Sequence, residues 1–196
     1  MANNNTIDNS DEIILGSGDI YVCKFTGDIP DDDTIETDAN RAGNIKGGAK
    51  LEYSTSSQTV KDDKGRVTKT ILTEETVKFV TGLITWASIW IQVLIPTARV
   101  DETTKAGHRI YKLGGLSKQS KDRYLFRFVH TRDDGRKVRC TVTGKNTGTI
   151  AFAFDPENPT TVDAEITAES LDSDGTLIIY DEELPAAAQT AQTSEE

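Results

Sequence analysis

The chain has 196 residues, enough for one domain with its own core, but only 36% are apolar and the formal net charge is −10, so the core is expected to be lean and loops long. No apolar run is long enough to span a bilayer, and the start MANNNTIDNS has neither a basic region nor an apolar one, so a soluble protein without a secretory leader is expected. Charge is segregated: residues 1–98 hold fifteen acids and nine bases, 99–145 five acids and thirteen bases, and 146–196 twelve acids and no base. Such segments can solvate the surface or favour head-to-tail contact between copies.

Residues 1–12 are rich in Asn and Asp and are read as a flexible N-terminus. A single domain is expected over 13–184, opening with a strand in 13–25. Ile20, Val22 and Lys24 share one of its faces, and Tyr21, Cys23 and Phe25 the other. Residues 26–44 have no period and carry six acids before Arg41, which predicts a long surface loop with a task. Its Asp31-Asp32-Asp33 triplet lacks the spaced ligands, central glycine and closing glutamate of a calcium loop, so no metal is assigned.

Ala49, Leu51, Tyr53 and Thr55 alternate with Lys50, Glu52 and Ser54. Asp62-Asp63-Lys64-Gly65 turns the chain, and Val67 to Leu72 returns. The tip, 56–69, is rich in Ser, Thr, Gln and Lys and has no apolar face to bury, so a hairpin projecting from the domain is expected. The returning strand continues through Val77 and Phe79, with Lys78 on the opposite face. After Gly82, Trp86, Ile89, Trp90, Val93 and Leu94 fall on one side of a helix that Pro96 ends. That helix must be covered by its own sheet or by another subunit.

Glycines punctuate 98–115. Tyr124, Phe126 and Phe128 then form one face of a strand and Leu125, Arg127 and Val129 the other. Arg132-Asp133-Asp134-Gly135 turns it, and Val138, Cys140 and Val142 return. Ile150, Phe152 and Phe154 alternate with alanines. Val162, Ala164, Ile166 and Ala168 make a further strand, and Leu177 to Tyr180 a last one. The tail, 185–196, is read as disordered. Short strands about ten residues apart with one short helix predict a mainly β fold, an antiparallel sandwich or barrel flanked by one short α-helix.

Catalytic signatures are absent. His108 and His130 lie apart with no serine or cysteine motif beside them, no Gly-rich loop precedes Lys-Ser/Thr, and no cofactor site is recognisable, so an enzyme is not expected. Cys23 and Cys140 stand singly, which suits two buried reduced thiols and no zinc site. The aromatic face at Tyr124, Phe126 and Phe128 resembles a single-strand stacking platform, but aromatics at period two more often form a core face, and no RNP-like motif surrounds them.

The ordered set IKGGAKLEYS (45–54), EETVKFVTGLITW (74–86), IYKLGGL (110–116), the RYLFRFVH–RDDGRKVR hairpin (123–139), IAFAFDPENPTTVDAEITA (150–168) and DSDGTLIIYDE (172–182) resembles the major tail tube proteins of long-tailed bacteriophages. The related tubes of phage-tail-like bacteriocins and type VI secretion share the fold that this resemblance implies. That fold is a β-sandwich with one helix, whose sheets join between six subunits into a ring-shaped β-barrel. Rings would stack head to tail into a conduit for genome ejection, assembled in the host bacterial cytoplasm and carried in the virion tail. The implied partners are further copies of the chain, the tape measure, the tail terminator and the distal tail or baseplate proteins. DNA would pass without specific binding, and no cofactor or membrane is implied.

On that reading the subunit and ring interface is expected at Gln58, Lys61, Asp62, Lys64, Arg66 and Lys69 of the hairpin and at Phe79, Trp86 and Trp90. Glu52, Glu165 and Glu169 are expected to line the bore, since an acidic channel lets DNA slide where a basic one would hold it. The loop 26–44 is a second candidate arm. Alternative readings are a soluble sandwich module binding carbohydrate or protein, a bacteriocin tube subunit, and a DNA-binding protein using the basic segment.

Overall fold

A computed structural model describes residues 18–43, 45–64, 68–83, 88–151 and 162–184. In chain order the elements are β1 (Asp19–Phe25), α1 (Asp32–Ile35), β2 (Ile45–Lys61), β3 (Thr68–Leu83), α2 (Ser88–Leu94), β4 (Arg99–Asp101), β5 (Ile110–Lys112), β6 (Arg123–Thr131), β7 (Lys137–Asn146), β8 (Val162–Glu169) and β9 (Ile179–Glu182). Strands predominate and pair antiparallel throughout.

The expected mainly β, antiparallel fold is found. Seven strands form one sheet in the order β1-β6-β7-β8-β3-β2 with β9 beside β7, while β4 and β5 make a separate ribbon, and the described strands close no barrel. The apolar face is covered by α2. Trp90 is buried there with Val93 and Leu94 against Val22 of β1, Phe126 of β6, Val142 of β7, Ile166 of β8 and Phe79 of β3. Trp90 stacks on Phe126 with ring centroids 6.4 Å apart, and its indole N–H donates to the carbonyl of Ala42. One bulky side chain thus fills the space between helix and sheet, and its polar atom is satisfied inside the core. The described part of the helix ends at Leu94, two residues before Pro96. Trp86 and Phe152 lie outside the described residues.

The opposite face is polar except under the loop that follows β1. Residues 26–43 do not project. Their one-turn helix α1 buries Ile35 completely against Phe25 and Leu125. The chain then runs beside β1, where the amide of Val22 donates to Asn40 (2.8 Å) and that of Ala42 to Ile20 (2.7 Å). This strap seals the outer edge of β1, so the expectation of a second arm is corrected: the loop spends its apolar and polar groups on its own sheet.

Strands β8 and β9 lie end to end along β7. Thr143–Asn146 pair with β8, and Val138–Thr141 with β9. The approach at Gly144 is close: a Cβ there would stand 2.1 Å from the carbonyl oxygen of Thr167. Cys23 pairs with Leu125 on the polar face, and Cys140 with Phe128 on the apolar one, so the sheet separates the two free thiols. No described helix is long and apolar enough to cross a membrane.

Candidate assembly surface

Strands β2 and β3 stay paired far beyond the sheet. β8 accompanies β3 only from Lys78 to Leu83. Every described residue from Tyr53 to Lys64 and from Thr68 to Glu75 is exposed. The ribbon holds itself together with cross-strand polar pairs: Tyr53 donates its hydroxyl to Glu75 (3.1 Å), and the hydroxyls of Thr59 and Thr70 bond at 3.0 Å. A register shift between Ser56 and Ser57 leaves Thr73 as an extra residue, and its hydroxyl donates to the Ser56 carbonyl (3.1 Å). Beyond Lys78, both long borders of the ribbon lack a strand neighbour among the described residues.

Of the expected interface residues, Gln58, Lys61, Asp62, Lys64 and Lys69 stand on this ribbon, all exposed. Arg66 and Trp86 lie outside the described residues. Phe79 and Trp90 are corrected: they are 2% and 1% exposed and fill the chain's own core, leaving no surface for another copy. The aromatic strand face has the same fate. Phe126 is buried, and Tyr124 and Phe128 pack against the core beside it, so they offer no stacking platform.

The three expected bore acids share the polar face, but not as an acidic strip. Glu52 pairs with Lys50 (2.5 Å), Glu165 with Lys78 (2.7 Å), and Glu169 with Arg123 (2.8 Å) and Lys145 (3.5 Å). These side chains are a third or more exposed, so each pair contributes little to stability. Together they neutralise the face.

Sequence reasoning missed a charged cluster beneath α1. Glu36 accepts from Arg139 (2.5 Å) and Lys137 (2.6 Å), Arg127 bonds Asp32 and donates to the Thr141 hydroxyl (3.0 Å), and Arg139 also reaches Glu183 (2.8 Å). Burial works against the charge of Arg139, yet its bonds to Glu36 and Glu183 outweigh that and hold the guanidinium above its usual range. The available signal was the charge segregation itself. Acids of the first and third segments pair with bases of the middle one within a single chain, at Asp32–Arg127, Glu36–Arg139, Glu169–Arg123 and Glu182–Arg132. Part of the segregation is therefore used within the single chain.

Ten large apolar side chains are exposed among the described residues. Five lie on the ribbon (Leu51, Tyr53, Val60, Ile71 and Leu72), three on or just after β9 (Ile179, Tyr180 and Leu184), and two on the loop after β5 (Leu113 and Leu116). The outer border of β9 has no strand neighbour among the described residues. Although half of the Tyr180 side chain is exposed, the part that is buried and the hydrogen bond to Glu182 push its phenol up to about 12.

No group of His, Cys, Asp and Glu among the described residues is placed to hold a metal. Asp32 of the acidic triplet is engaged with Arg127. No protein-family model matches the chain, and no curated protein matches it at a significant level.

Proposed function

We propose that this chain is the subunit of a self-assembling tube, the major tail tube protein of a long-tailed phage, working as a passive conduit for genome DNA. The observation that carries the reading is the ribbon of β2 and β3. It carries five exposed apolar side chains, four of them on its long two-stranded extension, which has open borders and no core of its own to pack on. An isolated two-stranded ribbon is marginally stable in water, and open strand borders are liabilities unless another chain covers them. Assembly into closed rings removes both problems, because a heterologous contact that closes pairs every border.

The polar sheet face supports the conduit. Its acids and lysines are matched, so a bore lined by it presents neither a cationic surface that binds phosphates by counterion release nor bare apolar groups. The sealed border of β1 restricts how rings form, since sheet continuity between copies must use the borders that remain open.

Negative-stain images of the purified chain at rising concentration test this reading. Rings or tubes with a central bore are expected. A sharp monomer at every concentration would overturn it, and saturable binding of a glycan or protein by that monomer would favour a module instead.

A further inference from the structure

We infer that the outer border of β9 is the dock for the β2–β3 ribbon of a second copy. The inference rests on the tube reading and names the surface through which its subunits join. It begins with an elimination. The two terminal borders of the sheet belong to β1 and β2. The first is occupied by residues 40–42, and this occupant is firmly held: Ala42 is buried, and its carbonyl accepts the indole N–H of Trp90. β1 is therefore not available to a neighbour. In the main sheet, the ribbon and β9 have the open borders that also carry exposed apolar side chains; β8 is open toward β7 only from Val162 to Ala164, and the strap holds β1 at Ile20 and Val22.

Exposed apolar groups select the same two elements. Eight of the ten large exposed side chains lie on the ribbon or on the β9 segment. A strand border flanked by apolar side chains is what β-augmentation uses: backbone hydrogen bonds supply the joint and alternate side chains the fit.

The ribbon cannot satisfy β9 of its own chain. It leaves the sheet where β8 stops accompanying β3, and no pairing joins β3 to β9. The β9 backbone is oriented to receive a strand. Glu183 donates its amide inward to the Lys137 carbonyl (3.0 Å). By strand alternation the amides of Asp181 and Ile179 also face β7, so those of Tyr180 and Glu182 point outward. The docked strand comes from another copy, and repetition of the contact propagates from chain to chain, because ribbon and β9 are different surfaces.

Two experiments on the full chain decide the matter. Tyr180→Pro removes one outward amide and leaves the inward ladder to β7 intact. It is expected to raise the concentration needed for assembly at least about tenfold with an unchanged circular dichroism spectrum, whereas Tyr180→Phe should assemble as the parent does. In the second, chains bearing Gln58→Cys or Thr59→Cys are mixed with chains bearing Asp181→Cys, all with Cys23 and Cys140 replaced by serine because Cys140 lies opposite Tyr180 beside the dock, and oxidised. Disulfides joining unlike chains are expected, and they stand as the deciding result if the proline variant fails to fold. Normal assembly of Tyr180→Pro, or cross-links confined to like chains or absent altogether, would overturn the dock. Tubes that form without these cross-links would sink the dock and leave the conduit standing. Cross-linked pairs that never build rings would keep the dock and sink the conduit.

Discussion

Glu36 shows how much one residue can decide. Its carboxylate is 8% exposed and accepts from Arg139 and Lys137, and it ties the segment after β1 to the middle of the sheet. Without Glu36, Arg139 keeps Glu183 and Lys137 turns to water, so the loss is that of charge-assisted hydrogen bonds and not of a wholly uncompensated charge. Glu36→Ala is expected to destabilise the fold by about 1–3 kcal/mol, read as a lower urea midpoint. A loss below about 1 kcal/mol would mean that water already reaches the cluster. Trp90 acts on the other face. Trp90→Phe keeps most of the apolar contact but strips the Ala42 carbonyl of its donor, so a loss of about 1–3 kcal/mol is expected from the same measurement. The Cys140 thiol is pushed up to about 11 by burial, so it should resist thiol reagents until the chain unfolds, while half-buried Cys23 reacts sooner.

Among elements, β7 depends on its closest neighbour and β9 on pH. A methyl group at position 144 would meet the Thr167 carbonyl, which is backbone and cannot step aside. Gly144→Ala should therefore part β7 from β8 and lower stability by about 1–3 kcal/mol. The raised Tyr180 phenol means that the folded chain holds this proton more tightly than the unfolded one. Its contribution is complete below the ordinary tyrosine range near 10 and is lost as pH rises through about 12. Stability should thus decline between those values, and Tyr180→Phe should flatten the decline. An equal slope in both chains would assign it to other groups.

In the molecule as a whole, the matched charges of the polar face lead to a prediction about DNA. Duplex DNA should not be retained at about 0.15 M salt, because the cations of that face are already paired with its own acids. A salt-dependent mobility shift under those conditions would show that the middle segment keeps free positive charge for phosphates, which would also count against a sliding bore.

The sequence was informative wherever a local period carried the information. Val77 and Phe79 as a buried stripe, the helix stopped short of Pro96, the turn after Thr131 and the predominance of strands all follow from neighbours within a few residues. The polar tip from Ser56 to Lys69 was legible for the same reason: a strand pair with no apolar stripe has nothing to bury. Which layer covers the sheet was not legible, because either Trp90 or a second sheet would satisfy the same apolar residues. Nor was the use of the charges. Glu36 and Arg139 stand 103 positions apart, and only the folded chain brings them together, turning what reads as an acidic arm into a clamp. The amino-acid sequence by itself determined the strands, the helix and the protruding ribbon, since these depend on short-range sterics and periodicity. The tertiary structure alone decided which borders are sealed and which stay open, because that depends on contacts between residues far apart along the chain.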